Sequence, residues 1–148
     1  MRLELLCDME FVYREEKIYS AGFVMVRPYG GEEGSAYGEG DGSVTGPRLK
    51  GKMRWVNHPH RRNDGVMLPN VHGVIVTDDG AKIIFSLEGR TVFKGENGFQ
   101  LLNVIFEAED ERYRWLNNTL CVLEGIINQK MDAKVYECIH ELQPKTDA

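Results

Sequence analysis

Three turn signals, Asn63-Asp64-Gly65, Asp78-Asp79-Gly80 and Asn97-Gly98, divide the chain into short runs rich in Val, Ile, Leu, Phe and Tyr. Tight hairpins need positive-φ positions, which Asn, Asp and Gly supply at least cost. Alternating apolar runs bounded by such turns form antiparallel sheet. The expected strands cover residues 3–13, 18–27, 44–55, 66–77, 81–92, 99–107, 120–126 and 133–142. About eight strands suffice to close a small barrel and remove its own edges. The expectation is therefore an all-β fold: an antiparallel β-barrel of lipocalin-like or allene-oxide-cyclase-like shape with at most a short helical turn. Tyr113, Leu116, Leu120 and Leu123 also fit helical spacing, but the β-branched, turn-rich surroundings favour one helical turn followed by strand.

The 148 residues suit one domain spanning 1–148. Glycines crowd residues 28–42, which read as a mobile loop over the barrel mouth. A formal net charge of -5 gives no global basic field, so nucleic acid is not an expected partner. No apolar run reaches bilayer-spanning length, and Met1-Arg2-Leu3-Glu4 lacks a signal-peptide layout. Cys7, Cys121 and Cys138 have no CxxC spacing, which argues against a disulfide framework or a structural zinc site. These features point to a cytoplasmic setting with no membrane association.

Five motifs occur in order: Gly46-Pro47-Arg48-Leu49-Lys50-Gly51, Arg62–Gly65, Thr77–Gly80, Phe106-Glu107 and Tyr113-Arg114-Trp115-Leu116-Asn117. In these the chain resembles the bacterial and fungal domain-of-unknown-function family 3237, with its GPxLxG, RxDG, TDDG, FE and YxWLN segments. The resemblance implies a compact β-barrel with an interior cavity, often assembled into homo-oligomers, and no established reaction. Family members place acidic and arginine residues at alternate positions between RxDG and TDDG. Here Leu68, Asn70, His72, Val74 and Val76 stand there, so only Asn70 and His72 stay polar. An arginine expected before the FE pair is absent from residues 101–105, and the connection 90–98 is shortened.

Candidate chemistry follows from alternation. Asn70 and His72 share a strand face, where a histidine can exchange protons and an amide can orient a carbonyl. Glu107 shares a largely apolar face with Asn103, a placement suited to acid–base work if that face is buried. Tyr113, Trp115 and Asn117 alternate as a wall for a flat ligand, and Trp55, beside Met53 on the strand after GPRLKG, is a further candidate for the cavity lining. Core packing explains the aromatic residues equally well. His58-Pro59-His60 lacks a carboxylate or cysteine at recognisable metal spacing, so no metal site is assigned. Ser43 and Ser86 have no visible base partner in the sequence.

The expected function is binding of a small, largely apolar or aromatic molecule in the barrel cavity, with no cofactor. An alternative is a metal-independent acid–base enzyme (lyase, isomerase or cyclase) in the same cavity, with His72 or Glu107 moving a proton. A third possibility is strand faces packed against copies of the chain, because Ile83, Phe85 and Leu87 are opposed by Ile84.

Overall fold

The computed structural model describes residues 1–14, 23–128 and 130–146. Its strands are β1 (Arg2–Tyr13), β2 (Phe23–Val26), β3 (Gly34–Thr45), β4 (Gly51–Asn57), β5 (His60–Arg61), β6 (Met67–Leu68), β7 (Asn70–Thr77), β8 (Lys82–Lys94), β9 (Asn97–Ala108), β10 (Cys121–Ile127) and β11 (Met131–Ile139). Eight of them close an antiparallel barrel in the order β1-β3-β4-β7-β8-β9-β10-β11, with β11 returning to β1. The short β2 extends the sheet along β3, and β5 and β6 bridge β3 to β8. The only helical element among the described residues is a 3-10 turn at Arg114–Asn118, running into β10 as expected.

Hairpin chemistry sets the register. Gly65 and Gly80 take φ of 85° and 91° and close their turns by donating to Arg62 O and Thr77 O. The third turn lies elsewhere than expected. Asn97 and Gly98 belong to β9, and the connection is made by Gly95 at φ 62° with Glu96. Gly95 takes the positive φ that the tight turn requires, so the turn settles two residues earlier.

The glycine-rich stretch is also corrected. Only residues 28–33 form a turn or loop; the rest is β3, a strand of the barrel wall. Its glycines point inward at alternate positions. A methyl at Gly40 would lie 2.7 Å from Trp55 Cζ2, and one at Gly42 would lie 2.6 Å from Met53 Cε. The missing side chains of β3 are thus the space that Trp55 and Met53 occupy. The part of the expected second strand at residues 18–22 lies outside the described residues.

The core is the barrel interior. Met9, Phe11, Val44, Met53, Ile75, Phe85, Leu102, Val104, Phe106 and Leu123 are all buried there. In β1 a bulge between Leu5 and Cys7 breaks the simple alternation, so Leu6 and Cys7 are both buried while Leu3 and Leu5 are exposed. At the level of Trp55 the interior is packed with aromatic rings. Trp55 meets Phe11 and Tyr13 edge to face, with centroids 5.7 and 5.2 Å away, and donates its indole N–H to Asp41 O at 2.8 Å.

Candidate functional site

Four of the five shared motifs meet at one end of the barrel, around the β7–β8 turn, while the fifth, Arg62–Gly65, closes the β5–β6 turn beside the far end of β8 with Arg62 paired to Asp64. Tyr113, buried, donates its hydroxyl to Asp79 at 2.8 and 2.9 Å from the two carboxylate oxygens. Thr77 also donates to Asp79, and Arg112 approaches the same carboxylate at 3.2 Å. These donors hold the Asp79 carboxyl below its ordinary range, Thr77 first, then Tyr113 and Arg112. Burial, helped by Asp79, pushes the Tyr113 phenol up. Asp110 is held at about 2 by its hydrogen bonds from Arg112. Asn117 pairs with the end of β9 in both directions, accepting from Ala108 N at 2.7 Å and donating to Ala108 O at 2.8 Å. Arg48 of the GPRLKG turn lies 4.4 Å from the Trp115 ring centre and reaches Glu137 at 2.6 Å. Tyr113, Trp115 and Asn117 thus serve as staples of the barrel end, where the sequence suggested a ligand wall.

The polar candidates meet on the outer wall. Register places Glu39, Val56, His72, Ser86 and Ile105 in one row across β3, β4, β7, β8 and β9. The neighbouring rows hold Arg54, Val74, Ile84 and Glu107 on one side, and Asn70, Glu88 and Asn103 on the other. Asn70, His72, Asn103 and Glu107 are therefore brought together, but all four are exposed on the outside and line no interior cavity. The inward positions of these strands belong to Val71, Ile75, Leu102, Val104 and Phe106, because apolar side chains of matching parity fill the core. Trp55 faces inward as expected, but packed into the core.

Within that patch a hydrogen-bonded chain runs across two strands. Ser86 Oγ lies 3.4 Å from His72 Nδ1, and His72 Nε2 lies 2.9 Å from Asn70 Oδ1. An amide oxygen only accepts, so in the neutral ring this contact favours hydrogen on Nε2, the tautomer that turns the Nδ1 lone pair to the serine hydroxyl. Asn70 is itself fixed: its backbone N–H donates to Asn57 Oδ1 at 3.0 Å, and its carbonyl accepts from His58 N at 3.0 Å. Asn103 turns its Oδ1 to Glu88 N at 3.1 Å. Ser86, which has no base partner visible in the sequence, has His72 beside it in the fold.

Two grooves open on the outside. One of about 400 Å³ runs past Arg14, Glu39, Arg54, Val56, His72 and Val74. Arg14 and Arg54 both approach Asp41, at 3.4 and 3.5 Å. The other, of about 1310 Å³, crosses β3, β1, β11, β10 and β9, with the Asp8–Lys134 pair at 2.8 Å in its floor and Phe99, Leu101 and Ile126 along one side. Among the described residues no helix is long and apolar enough to cross a membrane.

The fold has solved relatives. A β-barrel-like protein from Acinetobacter baumannii AYE superposes with a TM-score of 0.79 at 18% identity, covering 92% of this chain and 94% of that one. A protein of unknown function from Clostridium acetobutylicum ATCC 824 gives 0.80 at 17% identity, covering 94% and 100%. An enzyme from Penicillium herquei gives 0.69 at 20% identity, covering 92% and 94%. At such identities the likeness establishes the fold alone. No match was found among curated proteins. The family model described as "Protein of unknown function (DUF3237)" matches residues 31–139, which takes in all five motifs. The chain belongs to that family.

Proposed function

We propose that the chain binds a small, largely apolar molecule on its outer wall, in the groove between Arg54 and His72. The observation that carries this reading is a polarised hydrogen-bond chain, Ser86 to His72 to Asn70, set among exposed apolar side chains. Val56 and Ile84 are 36% and 56% exposed beside it, and Ile105 is 41% exposed. An apolar strip with a few convergent polar groups is the usual make-up of a small-molecule site. Arg54, whose ion pair among the described residues is the 3.5 Å contact with Asp41, favours a ligand with one anionic group. The test uses 8-anilinonaphthalene-1-sulfonate, an apolar dye with a single sulfonate. Dye binding that shifts the His72 imidazole resonances and weakens in Val74→Glu supports the site. Binding that leaves His72 unmoved refutes it.

A second reading, proton transfer to and from the ligand, is favoured by the direction of the same chain. In the neutral tautomer that Asn70 favours, His72 Nδ1 is the nitrogen left to take a proton, from Ser86 or from a ligand. The chemistry then belongs to acid–base enzymes such as lyases, isomerases or cyclases.

The same wall supports assembly. Val92, Phe99, Leu101 and Ile126 form an exposed apolar strip on β8, β9 and β10, with Arg90 and Glu124 flanking Leu101. Contiguous patches beyond a few hundred Å² are unusual on monomers. A second copy, pairing its own Arg90 and Glu124 across this strip, fits both its apolarity and its mixed charge. Light scattering of wild type against Leu101→Glu checks this: an oligomer that dissociates supports it, and a wild-type monomer at micromolar concentration refutes it. Cys7, Cys121 and Cys138 are free, which supports a reducing compartment such as the cytoplasm.

A further inference from the structure

We infer that Ser86 is a nucleophile, activated by His72 and positioned through Asn70, for acyl transfer from small esters whose apolar part lies along Val56 and Val74. The inference rests on the outer-wall site proposed above and names its substrate class. Three groups make the case. Ser86 Oγ stands 3.4 Å from His72 Nδ1, looser than the roughly 2.6–3.2 Å of an engaged nucleophile–base pair, as unliganded sites often are. Asn70 Oδ1 takes the opposite N–H at 2.9 Å and fixes the tautomer that leaves that nitrogen bare. Asn103, diagonal from Ser86 on the same face, has its oxygen committed to Glu88 N, which leaves its amide N–H groups as donors. Backbone N–H groups beside Ser86 are already committed, to the β7–β8 and β8–β9 ladders and, for Glu88, to Asn103 itself. Asn103 is thus the side-chain donor placed to meet the oxygen of a tetrahedral intermediate.

The reaction balances as follows. Ser86 Oγ bonds to the ester carbonyl carbon while its proton passes to His72 Nδ1, and the carbonyl electron pair moves to oxygen. That pair re-forms the carbonyl as the bond to the alkoxide breaks, and the alkoxide leaves with the proton from His72. Water repeats the sequence on the acyl-serine, giving the carboxylic acid and restoring the Ser86 hydroxyl. No oxidant, reductant or further reactant is needed.

The test treats the full-length protein with an alkyl fluorophosphonate and maps the adduct by mass spectrometry. The expected result is an adduct on the peptide carrying Ser86, absent in Ser86→Ala and formed roughly a hundredfold more slowly in His72→Ala. Both variants are on the exposed wall, and circular dichroism verifies their fold. No adduct on Ser86, or one formed equally fast in His72→Ala, overturns the assignment. The dye experiment on Ser86→Ala separates the two levels. If the dye still binds beside His72 while wild type forms no adduct, the nucleophile falls and the binding site stands. If the dye does not bind beside His72, the binding site itself falls.

Discussion

The motif-rich barrel end and the outer wall around His72 are both polar clusters, yet they are built in opposite ways. At the barrel end Thr77, Tyr113 and Arg112 all converge on Asp79, and Asn117 closes on both backbone groups of Ala108. The Tyr113, Arg112 and Asn117 contacts each join segments distant in the chain, and the Thr77 contact stiffens the turn on which two of them meet. On the outer wall, Ser86, His72 and Asn70 form a line that ends in solvent and joins strands already paired by the β7–β8 ladder. A closed polar cluster holds a fold together; an open one is free to engage another molecule. The Thr77–Gly80 and Tyr113–Asn117 motifs are therefore chiefly fastenings of the fold, and chemistry is to be sought on the open wall.

The largest effect expected from breaking this comparison is at Tyr113. Tyr113→Ala removes a buried ring and two hydrogen bonds to Asp79, and costs about 3–5 kcal/mol in urea unfolding. Next is Asn117→Ala, which leaves the Ala108 N–H and C=O without partners and costs about 1–3 kcal/mol by the same measurement. Acid should loosen the same end selectively. Asp110 and Asp79 have folded pKa values below the unfolded 3.8, so the stability they add is present above that pH. It is lost as pH falls towards about 2, the value of Asp110. Trp115 fluorescence should report a transition in that window, reduced in Asp110→Asn. The smallest effect falls on the outer wall: Ser86→Ala and His72→Ala should each change stability by within about 0.5 kcal/mol. A loss of several kcal/mol at either would make that cluster a fastening too, and erase the distinction.

Much of the fold was legible in the sequence because turn residues act locally. The glycines of Asn63-Asp64-Gly65 and Asp78-Asp79-Gly80 take the positive φ their hairpins require, and the helical turn before β10 follows from the spacing of Tyr113 and Leu116. The β3 strand was hidden because glycine weakens strands, and only the period-two spacing of Gly34, Gly38, Gly40 and Gly42 signals inward positions, those of Gly40 and Gly42 being filled by side chains of the neighbouring β4. The site was legible in its members and not in its side of the wall. In β9, Phe99, Leu101 and Ile105 alternate with Leu102, Val104 and Phe106, so apolarity marks both faces equally. The polar Asn103 and Glu107 then decide the matter, and they face solvent. Ser86 left a signal in register: it and His72 are equidistant in sequence from Asp79, the centre of their hairpin turn, and so must face each other.

The central claim is that the outer wall carries a directed chain with its basic nitrogen aimed at Ser86. A long-range ¹H–¹⁵N spectrum of His72 at pH 8 tests it most directly. The account predicts a single tautomer with hydrogen on Nε2 and a bare Nδ1, degrading to a mixture in Asn70→Ala. Hydrogen on Nδ1, or an even mixture in the wild-type protein, would contradict it.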